Sequence, residues 1–217
     1  MKDIPLFTTD CGVASLMLGQ IPYRQEAYIV VQDVQPGGLD AHLKECVSFC
    51  RMAGAKRVFW TAPGIEEEPY CTVFQMNGSA WVDKALLESL FPVTEATVSR
   101  WRQIYNERMQ GVDNASALTA ADEKRIVDSG GAYFVHREGS LLGIGWLEDT
   151  KLLAVASVQT GAGERVMHTL MSLVEGADMI LEVASTNARA IALYGKLGFL
   201  KTKEIRRWYL AFQRSGK

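Results

Sequence analysis

The chain has 217 residues, a formal net charge of −2 and a hydrophobic fraction of 48%, values typical of a folded globular protein. This apolar content and a count of only 6 prolines exclude a disordered or collagen-like chain, and the near-neutral charge argues against a nucleic-acid binder that neutralises phosphates. No apolar run is long enough to span a bilayer, and Met1–Asp10 lacks a signal-peptide pattern. We therefore expect a cytoplasmic protein with no nucleic-acid or membrane partner.

A first strand–helix–strand unit is predicted near the amino terminus. The apolar, β-branched segment Glu26–Asp33 predicts a strand, and Leu39–Ala53 has the apolar spacing of a helix. Glycines flank that helix, and Lys56–Ala62 predicts a second strand. Tyr70–Gln75 predicts a third strand, followed by a turn at Asn77-Gly78.

The middle of the chain is predicted to contain three helices and a hairpin. Trp81–Leu90 has amphipathic spacing, which predicts a helix that bridges two halves of the chain. Glu95–Met109 and Ala120–Ser129 predict two more helices. Tyr133–Val135 and Leu141–Glu148 flank a Gly-Ser turn, which is typical of a β-hairpin.

A second unit follows with its elements in the same order as the first. Lys151–Val158 predicts a strand, Gly161-Ala162-Gly163 a turn, Glu164–Glu175 a helix and Met179–Ala184 a strand. We therefore predict a duplicated domain, and chance similarity between two strand–helix–strand units is the alternative. Only the second unit continues into a helix, which ends at Gly198, and Trp208–Phe212 predicts a final strand.

The cysteines and histidines are interpreted as structural. Cys46 and Cys50 share one helix face, and neither they nor Cys11 and Cys71 show metal-ligand spacing. Without a secretory context, we expect reduced cysteines rather than disulfides. The histidines are scattered along the chain at His42, His136 and His168, so we predict no metal site.

The turn at Gly161–Gly163 opens a helix, and this arrangement binds phosphate groups through free backbone N–H groups. One interpretation is a dinucleotide site, for which Glu182 is the acid about 20 residues further on. The third glycine of that fingerprint is absent, because Val166 occupies its position. A structural turn and the diphosphate of coenzyme A are the other interpretations.

The residues from Leu152 to Phe199 resemble the GNAT superfamily of acyl-CoA-dependent N-acyltransferases. The glycine turn has the spacing Gly161-x-Gly163-x-x-Val166-Met167. A second and more specific block is Asn187-x-x-Ala190-x-x-Leu193-Tyr194-x-x-x-Gly198-Phe199. The resemblance implies an α/β (α+β) fold with a mixed, mostly antiparallel, splayed sheet and flanking helices. We expect a degenerate half-domain at residues 1–82 and a complete domain at residues 83–217.

The resemblance also implies a cosubstrate, acetyl-CoA, and a set of residues that bind it without a metal. Tyr194 would give a proton to the departing sulfur, and Asn187 would contact the pantetheine arm or act only as a helix cap. The backbone of Ala154, Val155 and Ala156 would pair with the pantetheine amides. The remaining implied contacts come from Gly161, Ala162, Gly163, Glu164, Arg165 and Ala190. A basic group, Lys201, Lys203, Arg206 and Arg207, is either a solvated face or a phosphate contact.

The implied reaction is transfer of an acetyl group to a primary amine by direct attack in a ternary complex. Because an ammonium of pKa ~10.4 is only about 0.04% neutral at pH 7, a base is useful. Glu148 and Glu182 are candidates, as are Asp149 and Glu107, and a chain of water molecules is the alternative. The acceptor would be a small-molecule or peptide amine, and the protein a monomer or homodimer. The alternative function is a non-catalytic acyl-CoA-binding module for sensing or assembly.

Overall fold

The computed structural model describes residues 2–79 and 81–214, and the chain forms two compact units. The first unit extends to Thr72 and includes the chain from Arg206 onward, whereas the second unit is Val73–Ile205. The α-helices in the described residues are α1 (Ile21–Arg24), α2 (Leu39–Met52), α3 (Val98–Met109), α4 (Glu123–Asp128), α5 (Gly163–Met171) and α6 (Ala188–Lys196). The strands there are β1 (Ile4–Thr9), β2 (Gly12–Met17), β3 (Glu26–Val34), β4 (Arg57–Thr61), β5 (Cys71–Ser79), β6 (Ser89–Pro92), β7 (Ala132–Arg137), β8 (Ser140–Glu148), β9 (Lys151–Ser157), β10 (Asp178–Ala184) and β11 (Leu200–Gln213).

The first unit is a sheet in the order β1-β2-β3-β4 that is completed by the end of β11. Only β3 and β4 are parallel, and they pair from Glu26↔Arg57 to Val30↔Thr61. Helix α2 connects these two strands, and its apolar face packs on the sheet with Cys46 and Cys50 fully buried. The amphipathic pattern of the sequence therefore leads to the predicted strand–helix–strand unit.

The second unit is a sheet in the order β5-β10-β9-β8-β7-β6, in which only β9 and β10 are parallel. Helix α5 connects the parallel strands and packs with α6 on one face, where Met167 and Leu170 meet Leu181. Helices α3 and α4 cover the opposite face, where Trp101 packs near Ala154. Successive side chains of a strand point to opposite faces of the sheet, so apolar residues of the strands contribute to the core on both faces.

Both sheets are mixed and mostly antiparallel with flanking helices, which confirms the predicted fold class. Part of the strand order is common to both: a hairpin (β1–β2 and β7–β8), a parallel pair joined by a helix, then an antiparallel strand. The second unit also has β6 beyond its hairpin and the beginning of β11 beside β5. The duplication itself stays a prediction. The units do not divide between residues 82 and 83, because β5 pairs with β10 and the end of β11 pairs with β4. Each sheet thus takes its last strand from the part of the chain predicted to belong to the other domain.

Two local predictions are wrong. The predicted helix Trp81–Leu90 is a 3₁₀ turn at Lys84–Leu86 followed by β6, which pairs with β7 from Ser89↔His136 to Pro92↔Tyr133. Pairing with β7 replaces the end of the predicted helix, and the edge position of β6 tolerates Pro92. The predicted turn at Asn77-Gly78 lies inside β5.

Several predicted boundaries also shift. Helix α3 begins at Val98, and the predicted helix at Ala120–Ser129 is a 3₁₀ turn at Ala120–Asp122 followed by α4. The predicted helix Glu164–Glu175 is α5 and a second 3₁₀ turn, Ser172–Val174. The hairpin β1–β2 was not predicted, because the first predicted element begins at Glu26.

Candidate active site

The parallel strands β9 and β10 pair only at their beginnings, through Lys151↔Ile180 and Leu152↔Leu181. Immediately afterwards β9 carries a bulge, because the partners of β8 step from Leu152 to Ala154 and leave out Leu153. A bulge bends its strand and increases the local twist. The two strands therefore separate after Leu152, as the resemblance implies for a splayed sheet.

Two adjoining cavities lie at this opening. The inner cavity, of about 340 Å³, is lined by α3, the loop 112–116 and the separating strands. The outer cavity, of about 560 Å³, extends from there to the glycine turn. Both cavities share a common set of lining residues, namely Met109, Val112, Val155, Asn187, Ala190 and Tyr194. These volumes are within the range of small-molecule sites.

Tyr194 lies where the two cavities meet. Helix α6 holds its ring 6.0 Å from the ring of Phe199, and the residue is only 7% exposed. Within residues 2–79 and 81–214 the structure has no hydrogen bond from its hydroxyl to a protein atom. Burial raises the pKa of Tyr194 to about 12. The phenol is therefore a protonated donor that faces a cavity.

Asn187 is the amino-terminal cap of α6, and its side-chain oxygen accepts a hydrogen bond from the Ala190 N–H at 3.2 Å. This confirms the predicted cap. The side chain also lines both cavities, and the cap leaves its NH₂ group available as a donor. The cap and the predicted pantetheine contact are compatible.

The glycine turn opens α5 at the far side of the outer cavity, which Gly161, Gly163 and Glu164 line. Gly161 has a φ of +82°, a backbone conformation that favours glycine. A Cβ atom at this position would meet no other atom within 4 Å. The first N–H groups of α5 have no partner within the helix, so they can bind an anion. Ala162 is buried in the core, and the Arg165 side chain points to Glu88 at 2.8 Å. The Ala162 N–H donates to the Gln159 carbonyl oxygen at 3.3 Å, and neither Ala162 nor Arg165 lines a cavity, so of these two only the backbone N–H of Arg165 is left for the site.

The candidate bases lie in different places. Glu182 lines the inner cavity and forms an ion pair with Lys151 at 2.8 Å. Glu148 pairs with Arg125 at 3.0 Å and lines neither cavity. Because β8 is antiparallel to β9, Glu148 faces Lys151 at the closed end of the strands. The structure brings Glu182, but not Glu148, to the cavity that contains Tyr194.

The remaining predicted contacts of β9 line the cavities, with Ala154 in the inner, Ala156 in the outer and Val155 in both. Sequence reasoning missed the loop 112–116 and Tyr105 in the inner cavity. It also missed three cations in the outer cavity, Arg108, Arg189 and Lys196. The basic group at residues 201–207 lines neither cavity.

The described residues show neither a metal-type cluster of side chains nor a membrane-type helix. Across residues 2–79 and 81–214, no group of three or more His, Cys, Asp or Glu side chains is arranged to hold a metal ion. In the same residues no helix has both the length and the apolar character that a membrane crossing requires. Among the described residues, the cysteines at positions 11, 46, 50 and 71 form no disulfide bond.

Solved structures with a similar fold include GCN5-related N-acetyltransferases and proteins of unknown function. A GCN5-related N-acetyltransferase from Anabaena variabilis matches 92% of this chain and 59% of its own at 12% identity, with a TM-score of 0.58. One from Sphaerobacter thermophilus matches 91% of this chain and 75% of its own at 13% identity, with a TM-score of 0.54. A functionally unknown protein from Staphylococcus epidermidis matches 94% of this chain and 91% of its own at 10% identity, with a TM-score of 0.55.

These likenesses show the fold, which is that of the GNAT acyl-CoA N-acyltransferases. At identities of 10 to 13%, they do not extend to substrate or residue roles. No family model and no curated protein matches the chain.

Proposed function

We propose that the protein is an acyl-CoA-dependent N-acyltransferase that moves an acetyl group from acetyl-CoA to a primary amine. The observation that carries this proposal is Tyr194, a buried and protonated phenol without a hydrogen-bond partner among the described residues, at the junction of two cavities. A packing role alone would be served equally by phenylalanine, so a hydroxyl at this position supports a chemical role.

In the proposed reaction, the amine nitrogen attacks the thioester carbonyl, the new carbon–nitrogen bond forms and the carbon–sulfur bond breaks. The thiol of coenzyme A has a pKa near ~8.5, and the Tyr194 hydroxyl protonates the departing thiolate. A separate base accepts the proton that the nitrogen loses, and the phenolate regains a proton from solvent. The outer cavity would hold the coenzyme, with the first N–H groups of α5 on its diphosphate and the β9 backbone on its pantetheine arm. The inner cavity would hold the acceptor, a small-molecule amine or a peptide amino group.

The test is thiol release from acetyl-CoA with a panel of small amines and peptides, using the wild-type chain and Tyr194→Phe. We expect kcat of the variant to fall by about 10²- to 10⁴-fold, because a general acid contributes that much. Coenzyme A affinity should stay nearly unchanged, because the ring remains. Tyr133→Phe on β7, which lines neither cavity, is the matched control and should keep full activity.

Two results would contradict parts of this proposal. Equal turnover by Tyr194→Phe and the wild type would show that Tyr194 is not the general acid. Coenzyme A binding without thiol release for any amine in the panel would favour the non-catalytic binding module.

We further propose that the first unit is a degenerate copy of the second. The support is the shared strand order and the shared helical crossover between parallel strands. The first unit lacks a counterpart of α6 in its described residues, because its second parallel strand, β4, is followed by β5 with no helix between them. A copy without that helix has no equivalent of Tyr194, so chemistry is assigned to the second unit alone.

A further inference from the structure

The outer cavity carries more positive than negative charge. Arg108, Arg189 and Lys196 line it from α3 and α6, and Glu164 is the carboxylate in its lining. Among the described residues, none of the three cations forms an ion pair with a carboxylate within 4.0 Å. Surface cations usually have neutralising neighbours or extend into solvent, whereas these three surround a cavity that also contains Tyr194. Such a site is suited to an anion with several charges.

Arg108 is the cation whose position is determined by the fold. It lies in the last turn of α3, and its guanidinium donates a hydrogen bond to the carbonyl oxygen of Val158 at 2.6 Å. Val158 directly follows β9 and precedes Gly161 by three residues, so the guanidinium is held beside the glycine turn. One of its five N–H donors is used in this bond, and the others remain for a ligand.

The two sources of positive potential at this place are independent. The amino end of α5 offers backbone N–H groups and the positive end of the helix dipole. Arg108 belongs to a helix on the opposite face of the sheet and approaches the same turn. A guanidinium adds two parallel N–H donors and a full positive charge, and the neutral backbone N–H groups do not carry that charge.

We propose that Arg108 binds the diphosphate of the acyl donor and thereby selects acyl-coenzyme A over a donor that has only a pantetheine arm. This inference rests on the proposed function, because it assumes an acyl donor in the outer cavity. Arg189 and Lys196 lie on the other rim, seven residues apart on one face of α6. They add long-range attraction for the phosphates.

The experiment compares Arg108→Gln with the wild type in calorimetric titrations with coenzyme A and with pantetheine. We expect the variant to bind coenzyme A about tenfold more weakly, since a hydrogen bond to a charged group is lost, and to bind pantetheine as the wild type does. Arg108→Lys should recover part of the loss, because it keeps the charge but not the bidentate geometry. The matched control is Arg100→Gln, on the same helix and outside both cavities, which should bind both ligands normally.

Equal coenzyme A affinity for Arg108→Gln and the wild type would overturn the inference. An equal loss of affinity for coenzyme A and for pantetheine would also overturn it. Arg108 would then affect binding by holding the end of β9 in place and not by contacting the diphosphate. If the wild type binds coenzyme A but releases no thiol, only the proposed function fails. If it binds no coenzyme A, both proposals fail.

Discussion

Burial of Tyr194 gives its hydroxyl a definite protonation state. Because burial raises the pKa of Tyr194 to about 12, the phenol keeps its proton at all physiological pH values and loses it only as the pH approaches that value. A group used as an acid needs this state. Because the phenol already carries its proton at neutral pH, Tyr194 cannot accept the proton of the amine, and a separate group must do so.

Glu182 and Glu148 were equal candidates for that base in the sequence, and their positions separate them. We expect Glu182→Gln to lower kcat by about 10²-fold or more, because Glu182 lines the inner cavity with Tyr194. Glu148→Gln is the matched control, since its carboxylate is paired with Arg125 outside the cavities, and it should keep its activity. The measurement is kcat and KM for thiol release with the best amine.

If the Glu182→Gln variant were as active as the wild type, Glu182 would not be the base, and water would be the group that accepts the proton of the amine. A loss in both variants would instead point to damage to the fold. Unfolding curves of the two proteins would identify that case.

At the scale of single elements, local sequence patterns were sufficient to predict the helices that pack one face against a sheet, together with the strands that flank them. The strand–helix–strand units lie within two residues of their predicted ends, except that α5 ends four residues early and continues as a 3₁₀ turn. The agreement arises because the apolar period of 3.6 and the flanking glycines are contained in the segments themselves. Trp81–Leu90 failed for the opposite reason. Its spacing suits a helix, but pairing of β6 with β7 decides its structure.

Gly78 shows how a turn signal can have another cause. A Cβ atom at this position would lie 2.7 Å from the Phe199 ring, so glycine is required for the close approach of that ring to β5. We expect Gly78→Ala to lower the free energy of unfolding by about 1 to 3 kcal/mol, the usual cost of overpacking. Urea unfolding followed by circular dichroism measures this change.

Gly195 in α6 is the matched control for that experiment. A Cβ atom there would meet no atom within 4 Å, and alanine is the better helix former. Gly195→Ala should therefore be neutral or raise the free energy of unfolding by up to about 1 kcal/mol. Equal stability of Gly78→Ala and the wild type would mean that Phe199 can move away at little cost.

At the scale of the whole molecule, the two units differ at their parallel strands. In the second unit β9 and β10 separate after two pairs, whereas in the first unit β3 and β4 remain paired over five, from Glu26↔Arg57 to Val30↔Thr61. Backbone hydrogen bonds thus occupy the place where a pantetheine arm would need an open strand. The first unit is therefore closed between its parallel strands, where the second unit has its candidate site.

This closure predicts one acyl-CoA site per chain. Calorimetric titration with coenzyme A should give a stoichiometry of one. Arg108→Gln should weaken that single site without revealing another. A stoichiometry of two would show that β3 and β4 separate in solution, and it would contradict the closed state of the first unit.

The sequence alone determined the features that are encoded in contiguous residues. The block from Asn187 to Phe199 specified the cap, the helix and Tyr194, and the glycine turn specified the start of α5, because caps and helix spacing act over a few residues. Only the tertiary structure decided that β9 bulges at Leu153, that Glu182 rather than Glu148 reaches the cavity and that Arg108 lies beside the turn. It also decided which strand completes each sheet. These features depend on pairing between residues far apart in the chain, for which a single sequence carries no local signal.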